Sequence, residues 1–280
     1  MKILITSSFH HKNQEALIAM LEHMNIEYKF GNEIDIPNYD VIYSPVKSID
    51  TSKYPSKKFI FGPHFSVFPD NKILQINNVH KNSIYIQPSP WASRVWTDTN
   101  INDYIPIVTH PFPVNINRFK CMGKERTKVF IYYKRRDPNE LLFLRNFLDE
   151  RYVEYKIFDY IKRYDEEDYL YWLQKSKYGI ILDAHESQGF AIEEALSCNV
   201  PLLVWNVKFM SQEYKSKYDD IPATTVDYFD ERCGEIFYEQ NELEAKFEEF
   251  TNKLDTYSPR EYILENLSCE KCCERFLSII

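Results

Sequence analysis

The sequence predicts an α/β protein of two domains, each a parallel β-sheet covered by helices. Three observations carry that expectation. Short apolar runs alternate with amphipathic helical stretches along the chain. The alternation restarts at Val129, after a proline-bearing segment that begins at Val108. The length, 280 residues, suits two cores of roughly 120 to 150 residues each.

In the first half, Ile3 to Thr6 reads as a strand, and Leu17, Met20, Leu21 and Met24 recur at helical spacing on one face. Short strands are then expected around Ile26 to Phe30, Val41 to Tyr43, Phe59 to Phe61 and Ile84 to Ile86. The stretch Val108-Thr-His-Pro-Phe-Pro-Val114, followed by the basic residues Lys120, Lys124 and Arg126, reads as the connection between domains, with the boundary placed near residue 122.

The second half opens on the strand Val129 to Tyr133, and the basic turn Lys134-Arg135-Arg136 follows. Asp137-Pro138-Asn139-Glu140 has the form of a helix start, with Asp as N-cap, Pro at the first position and Glu at the third. Leu141, Leu144 and Leu148 then share a face. Tyr155 to Phe158 reads as a strand, Asp165 opens a helix carrying Leu170 and Leu173, and Gly179 to Leu182 reads as a buried strand. Asp183 to Gly189 is the turn after it, Phe190 to Ser197 a helix, and Leu202 to Trp205 the next strand. Ligands of such a domain are expected at the carboxyl ends of its strands.

The turn before Phe190 is the most informative stretch. The first N–H groups of a helix lack partners within it and the helix dipole is positive there, so a phosphate near Gly189 and Phe190 would satisfy both. Glu194 lies seven residues past Ser187, about two turns or roughly 10 Å along the axis. A carboxylate there is placed to bind a ribose diol, while Glu186 at the turn meets what hangs from the far phosphate. Lys134, Arg135 and Arg136 fall at the same sheet edge, where cations would hold a diphosphate and stabilise its charge.

The spacing Glu186-x7-Glu194, with Ser187 and Gly189 between and Ala195 after, resembles the E-x7-E motif of family-4 glycosyltransferases. The family pattern is E-(S/G)-F-G-x-x-x-x-E-A; here Gln188 stands where that aromatic is common, and Phe190 follows the glycine instead. The resemblance implies the GT-B fold: two Rossmann-like domains facing a central cleft, with the final helix crossing back to the N-terminal domain. On that pattern 1–122 is an acceptor-side domain, 123–262 binds a nucleotide sugar, and 263–280 is the returning helix. The implied activity is transfer of a hexosyl or pentosyl group from a nucleoside diphosphate sugar, UDP favoured, to a hydroxyl of a glycan or other acceptor. Glu186 would contact the donor sugar, Ser187, Gln188, Gly189 and Phe190 would line the phosphates, and Glu194 would bind ribose. Relatives usually space an Arg and a Lys about five residues apart after the preceding strand. Here the cations are adjacent, which leaves open whether Lys134, Arg135 or Arg136 reaches phosphate.

His10 and His11 follow the first strand, where many relatives carry a glycine pair. His64 ends Gly62-Pro63-His64 much as a donor-facing histidine does in some relatives. The motif favours retention, with Glu186, Arg135 and His11 as the catalytic set and His64 on the donor. The alternative is inversion with His10 or His11 as base, and a third reading is a module that binds a glycan or partner and catalyses nothing. Pro90-Trp91 and Val95-Trp96 are candidate sugar-stacking segments.

Composition narrows the classes. A net charge of −8 argues against nucleic acid as a partner, since that requires a clustered positive surface. No run approaches the roughly 20 apolar residues of a membrane span, and no signal-peptide layout precedes Ile3, so a cytoplasmic protein is expected. The six cysteines read as reduced thiols, and Cys269, Cys272 and Cys273 lack a second ligand pair at zinc spacing. With 6 glycines no glycine-rich phosphate loop is present. Neither a metal nor a cofactor is expected.

Overall fold

The structure, a computed structural model, describes residues 1–68, 82–99, 101–123 and 125–280. Lys124 of the basic segment lies outside them. The chain divides into two compact units, Met1–Pro113 with Cys269–Ile280, and Val114–Ser268.

The first unit holds a 6-stranded sheet in the order β2-β1-β3-β4-β5-β6. Its strands are β1 (Lys2–Ile5), β2 (Glu27–Phe30), β3 (Val41–Ser44), β4 (Lys58–Phe61), β5 (Ser83–Gln87) and β6 (Ile107–Thr109). All neighbours pair in parallel. Parallel strands need crossovers that cover both faces of the sheet, and so β3 is buried along its whole length. The helix His11–His23 buries Leu17, Met20 and Leu21. The last helix, Cys269–Leu277, lies against it, with the Cys269 and Cys273 thiols 3.7 and 3.6 Å from the carbonyls of Ala19 and Met20.

The resemblance implies one helix over 263–280, but two helices form, Pro259–Asn266 and Cys269–Leu277. The break has a cause in the backbone: the Leu267 carbonyl accepts from Val114 N at 3.0 Å instead of continuing a helical ladder. The tryptophans offered as stacking faces are core residues, Trp91 4% and Trp96 0% exposed. Trp96 stacks on Tyr85 with ring centroids 3.8 Å apart, and its indole N–H donates to Val67 O at 3.0 Å.

The second unit holds a 5-stranded sheet in the order β11-β10-β9-β7-β8, again all parallel. The strands are β7 (Lys128–Lys134), β8 (Lys156–Asp159), β9 (Ser176–Asp183), β10 (Leu202–Trp205) and β11 (Gly234–Phe237). Alternation along them makes two cores. Phe130, Tyr132, Ile181, Leu202 and Val204 face Tyr169, Leu173, Ile192, Leu196 and Ile263. Val129, Ile131, Ile180, Leu182 and Leu203 face Leu144, Leu148, Phe247 and Phe250. The sheet is therefore the middle of three layers.

His110 follows β6 and is 1% exposed, its ring 5.3 Å from Phe276 and 6.1 Å from Phe112. Burial, helped by the Arg275 charge, pushes it down to about 3 from its ordinary value of 6.5. An unfolded histidine gains its proton near that ordinary value while the native one stays neutral down to about 3. Stability therefore falls as pH falls through that window, by up to about 1.4 kcal/mol per pH unit for this group. His110→Phe is expected to have a shallower loss of urea-unfolding stability between about pH 6 and about pH 4; an unchanged slope contradicts the assignment.

Candidate functional site

In the second unit the strand order reverses between β7 and β9, so the crevice outside their carboxyl ends is where a sheet of this type binds ligands. Lys134 ends β7, Asp183 ends β9, and the two are register partners. The turn that follows is held from several sides. Ala184 N donates to Lys134 O at 3.0 Å and to Asp183 Oδ1 at 2.7 Å. Glu186 N donates to Thr224 O at 3.1 Å. Gly189 caps the Phe190–Ser197 helix at φ 87°, a left-handed conformation that favours glycine.

Lys134 Nζ donates to Glu186 Oε1. The two side chains are 14% and 15% exposed, so this pair is partly desolvated yet open at one side. Burial acts to lower Lys134, but Glu186 and Asp183 outweigh it and its pKa is raised. Burial acts to raise Glu186, but Lys134 and a hydrogen bond with Asp183 outweigh it, and its carboxyl sits below the ordinary range. Lys134 Nζ also lies 4.4 Å from the centre of the Tyr160 ring, a cation–π contact that limits where the ammonium can point.

The remaining sequence-predicted residues divide by location. Arg135 adopts φ 53°, and its half-exposed side chain lies 3.6 Å from Glu213 Oε2. His185 Nε2 reaches the same oxygen at 3.1 Å. Arg136 is 1% exposed and its guanidinium is engaged inside the unit by Glu140, Asp183 O and Trp205 O. A buried guanidinium with these acceptors is scaffold, so of the three adjacent cations Lys134 and Arg135 are the ones with solvent access. Ser187 is exposed. Gln188 is buried and turns its amide to Glu193 Oε2, at 3.0 Å. Glu194 is 4% exposed, and its charge, after burial, helps push up the phenols of Tyr164 and Tyr169.

His11 and His64 belong to the first unit, at the carboxyl ends of β1 and β4. There the rings of His10 and His11 lie 4.8 Å apart, and His10 stacks on His64 at 6.2 Å. Burial, then the His10 charge, lowers His64 to about 4.

The structure adds residues that the sequence did not single out. Asp183, the last residue of β9, is fully buried. Thr225 Oγ1 lies 3.1 Å from Asp183 O and 2.6 Å from Ala184 O. Asn206 Oδ1 accepts from Thr225 N at 2.7 Å, Val207 N at 2.8 Å and Thr224 Oγ1 at 3.1 Å. A single polar residue ending an apolar run marks Asp183 and Asn206 in the sequence; Thr225 carries no such mark.

No protein-family model matches the sequence, and no curated protein sequence matches it. Solved structures do match in fold. Sucrose-phosphate synthase from Thermosynechococcus elongatus aligns with a TM-score of 0.59 at 8% identity, over 100% of this chain and 98% of that one. A TarM variant from S. aureus, in complex with fondaparinux, α-GlcNAc-glycerol and UDP, aligns at 0.55 and 15% identity, over 85% of this chain and 55% of that one. The catalytic domain of starch synthase IV from Arabidopsis thaliana, bound to ADP and acarbose, aligns at 0.54 and 9%, over 98% and 78%. This chain thus spans about half the length of TarM. The fold is that of GT-B glycosyltransferases, two parallel-sheet α/β domains.

Thr225→Val keeps the side-chain shape and removes the hydroxyl that ties the turn to the loop after β10. It is expected to lower unfolding free energy by about 2 kcal/mol, with Thr225→Ser nearly neutral. Equal denaturant midpoints for the valine variant and the wild type contradict this role.

Proposed function

We propose that this chain transfers a hexosyl or pentosyl group from a nucleoside diphosphate sugar, UDP favoured, to a hydroxyl of a glycan or other acceptor, as a family-4-type glycosyltransferase. The observation that carries the reading is the meeting of Lys134, Glu186 and the Gly189-opened helix at the strand switch point of the second unit. The Gly189 and Phe190 amides, with Lys134 and Arg135, take the diphosphate. Ser187 and Gln188 line the turn beside it, Glu194 takes the ribose, and Glu186 orients the donor sugar. As the bond from sugar to phosphate breaks, charge grows on the departing diphosphate, and cations already fixed there stabilise it without reorganising. These protein cations stand where a metal ion would otherwise act.

The unit Val114–Ser268 is assigned to the donor and the unit Met1–Pro113 with Cys269–Ile280 to the acceptor. No helix among the described residues is long and apolar enough to cross a membrane; the protein is proposed to act in the cytoplasm. Retention follows from the E-x7-E resemblance. The packing of His10, His11 and His64 at one sheet edge supports a second reading. In it the transfer inverts, and His10 or His11 takes the proton of the acceptor hydroxyl.

A thermal-shift screen against UDP, GDP, ADP and CMP and their sugar conjugates tests the assignment. A ligand that binds only the native state at a hundred times its dissociation constant stabilises by about 2.7 kcal/mol, a rise of several degrees. One nucleoside diphosphate is expected to stabilise the wild type, with the effect lost in Lys134→Ala and Glu194→Ala. No shift with any of them at millimolar concentration contradicts the proposal and favours a glycan- or partner-binding module.

A further inference from the structure

Two carboxyl groups and one lysine meet at the end of β9, and their charges do not balance if both acids are ionised. Lys134 is engaged by Glu186. Asp183 is 0% exposed, and its own carbonyl is held by Arg136 Nη1 at 3.2 Å and Thr225 Oγ1 at 3.1 Å. Its Oδ1 accepts from Ala184 N at 2.7 Å. Its Oδ2 is buried, and among the described residues no N–H or hydroxyl donates to it. The acid beside it is Glu186, and the two carboxyls are near enough to share a hydrogen bond once one of them carries a proton.

A hydrogen bond between two carboxyl groups requires one proton. Glu186 has the lysine's hydrogen bond and some solvent; Asp183 has neither. The other groups around Asp183 point the same way. Tyr132 from β7 and Tyr169 from the Glu166–Lys175 helix are buried phenols that stay neutral beside it. Lys134 is the cation that lowers it, and burial together with Glu186 outweighs that effect.

We propose that Asp183 is a neutral carboxylic acid in the native protein and a positioning residue, donating its proton to Glu186 and so fixing the carboxylate that orients the donor sugar. The last clause rests on the function proposed above; the proton assignment does not. Lys134 engages Glu186 Oε1 as well, so the carboxylate is held by a cation and by the neighbouring acid together. Asparagine reproduces the arrangement, its Oδ1 accepting from Ala184 N and its amide donating to Glu186. Alanine removes the donor.

The test is 13C NMR of the side-chain carboxyls in ligand-free protein, so its failure is distinct from a failure to bind any nucleotide. Wild type is expected to show one aspartate carboxyl that stays protonated at neutral pH, and Asp183→Asn to lack it. The Glu186 titration midpoint is expected within about half a pH unit of wild type in Asp183→Asn, and about one unit or more higher in Asp183→Ala. A residue that only filled space would leave the Glu186 midpoint alike in all three. Absence of a protonated aspartate in the wild type overturns the proposal, and so does a Glu186 midpoint that alanine does not move. The wild-type signal decides the proton's place even if the alanine variant fails to fold.

Discussion

The buried guanidinium of Arg136 is the constraint on which the second unit's architecture turns. It sits where β7 has ended, and three elements converge on it. Its Nε and Nη2 bind both oxygens of Glu140, at 2.8 and 2.6 Å, and its Nη1 donates to the last carbonyls of β9 and β10, Asp183 O at 3.2 Å and Trp205 O at 2.9 Å. Strand ends leave carbonyls that must find donors once they are buried. One planar cation satisfies two of them and is itself neutralised by the helix that starts at Pro138. Removing Glu140 would strand the guanidinium in a dry place, which costs far more than the pair gains.

From that anchor the site follows by contact. Asp183 O is shared between Arg136 and Thr225, so the end of β9 cannot shift without disturbing both the strand bundle and the loop after β10. The turn from Ala184 to Gly189 inherits this rigidity and presents Glu186 to Lys134. The helix that leaves the turn is tied at its other end by two more guanidiniums. Arg126 donates to Cys198 O at 2.6 Å, and Arg260 donates to Ser197 O at 2.6 Å. Cations there complement the negative end of the helix dipole and occupy carbonyls that the helix cannot satisfy. Polar scaffolding of this kind holds catalytic or binding groups in place without spending their own flexibility.

Much of this was legible in the residues, and the parts that were not share a physical reason. The strand Leu202–Trp205 and the helix Phe190–Ser197 stand out because an apolar run bounded by proline and a glycine-opened helix have local causes. Asp137 does cap its helix, accepting from Asn139 N at 2.8 Å. Glu140, which reads as the partner of that cap, goes to Arg136 instead, a tertiary demand that no local pattern displays. The three adjacent cations look equivalent in the sequence; φ 53° at Arg135 sends the chain round so that Arg136 is buried and Arg135 half exposed. Strand β11 is a four-residue edge strand that opens on Gly234 and Glu235, so it lacks the apolar run by which a strand is read from sequence. Asp183 and Thr225 matter through contacts 41 or 42 residues apart in the chain, and such pairs appear only in three dimensions.

The central claim is that the carboxyl edge of β7 and β9 receives a nucleoside diphosphate sugar. Amide chemical shifts followed by NMR during titration with UDP-glucose and ADP-glucose test it residue by residue. The account predicts saturable shifts that are largest at Gly189 and Phe190 and extend to Lys134 and Glu186, with the edge strand β11 unmoved. Saturable shifts confined to residues away from this edge, or no shifts with either compound, would contradict it.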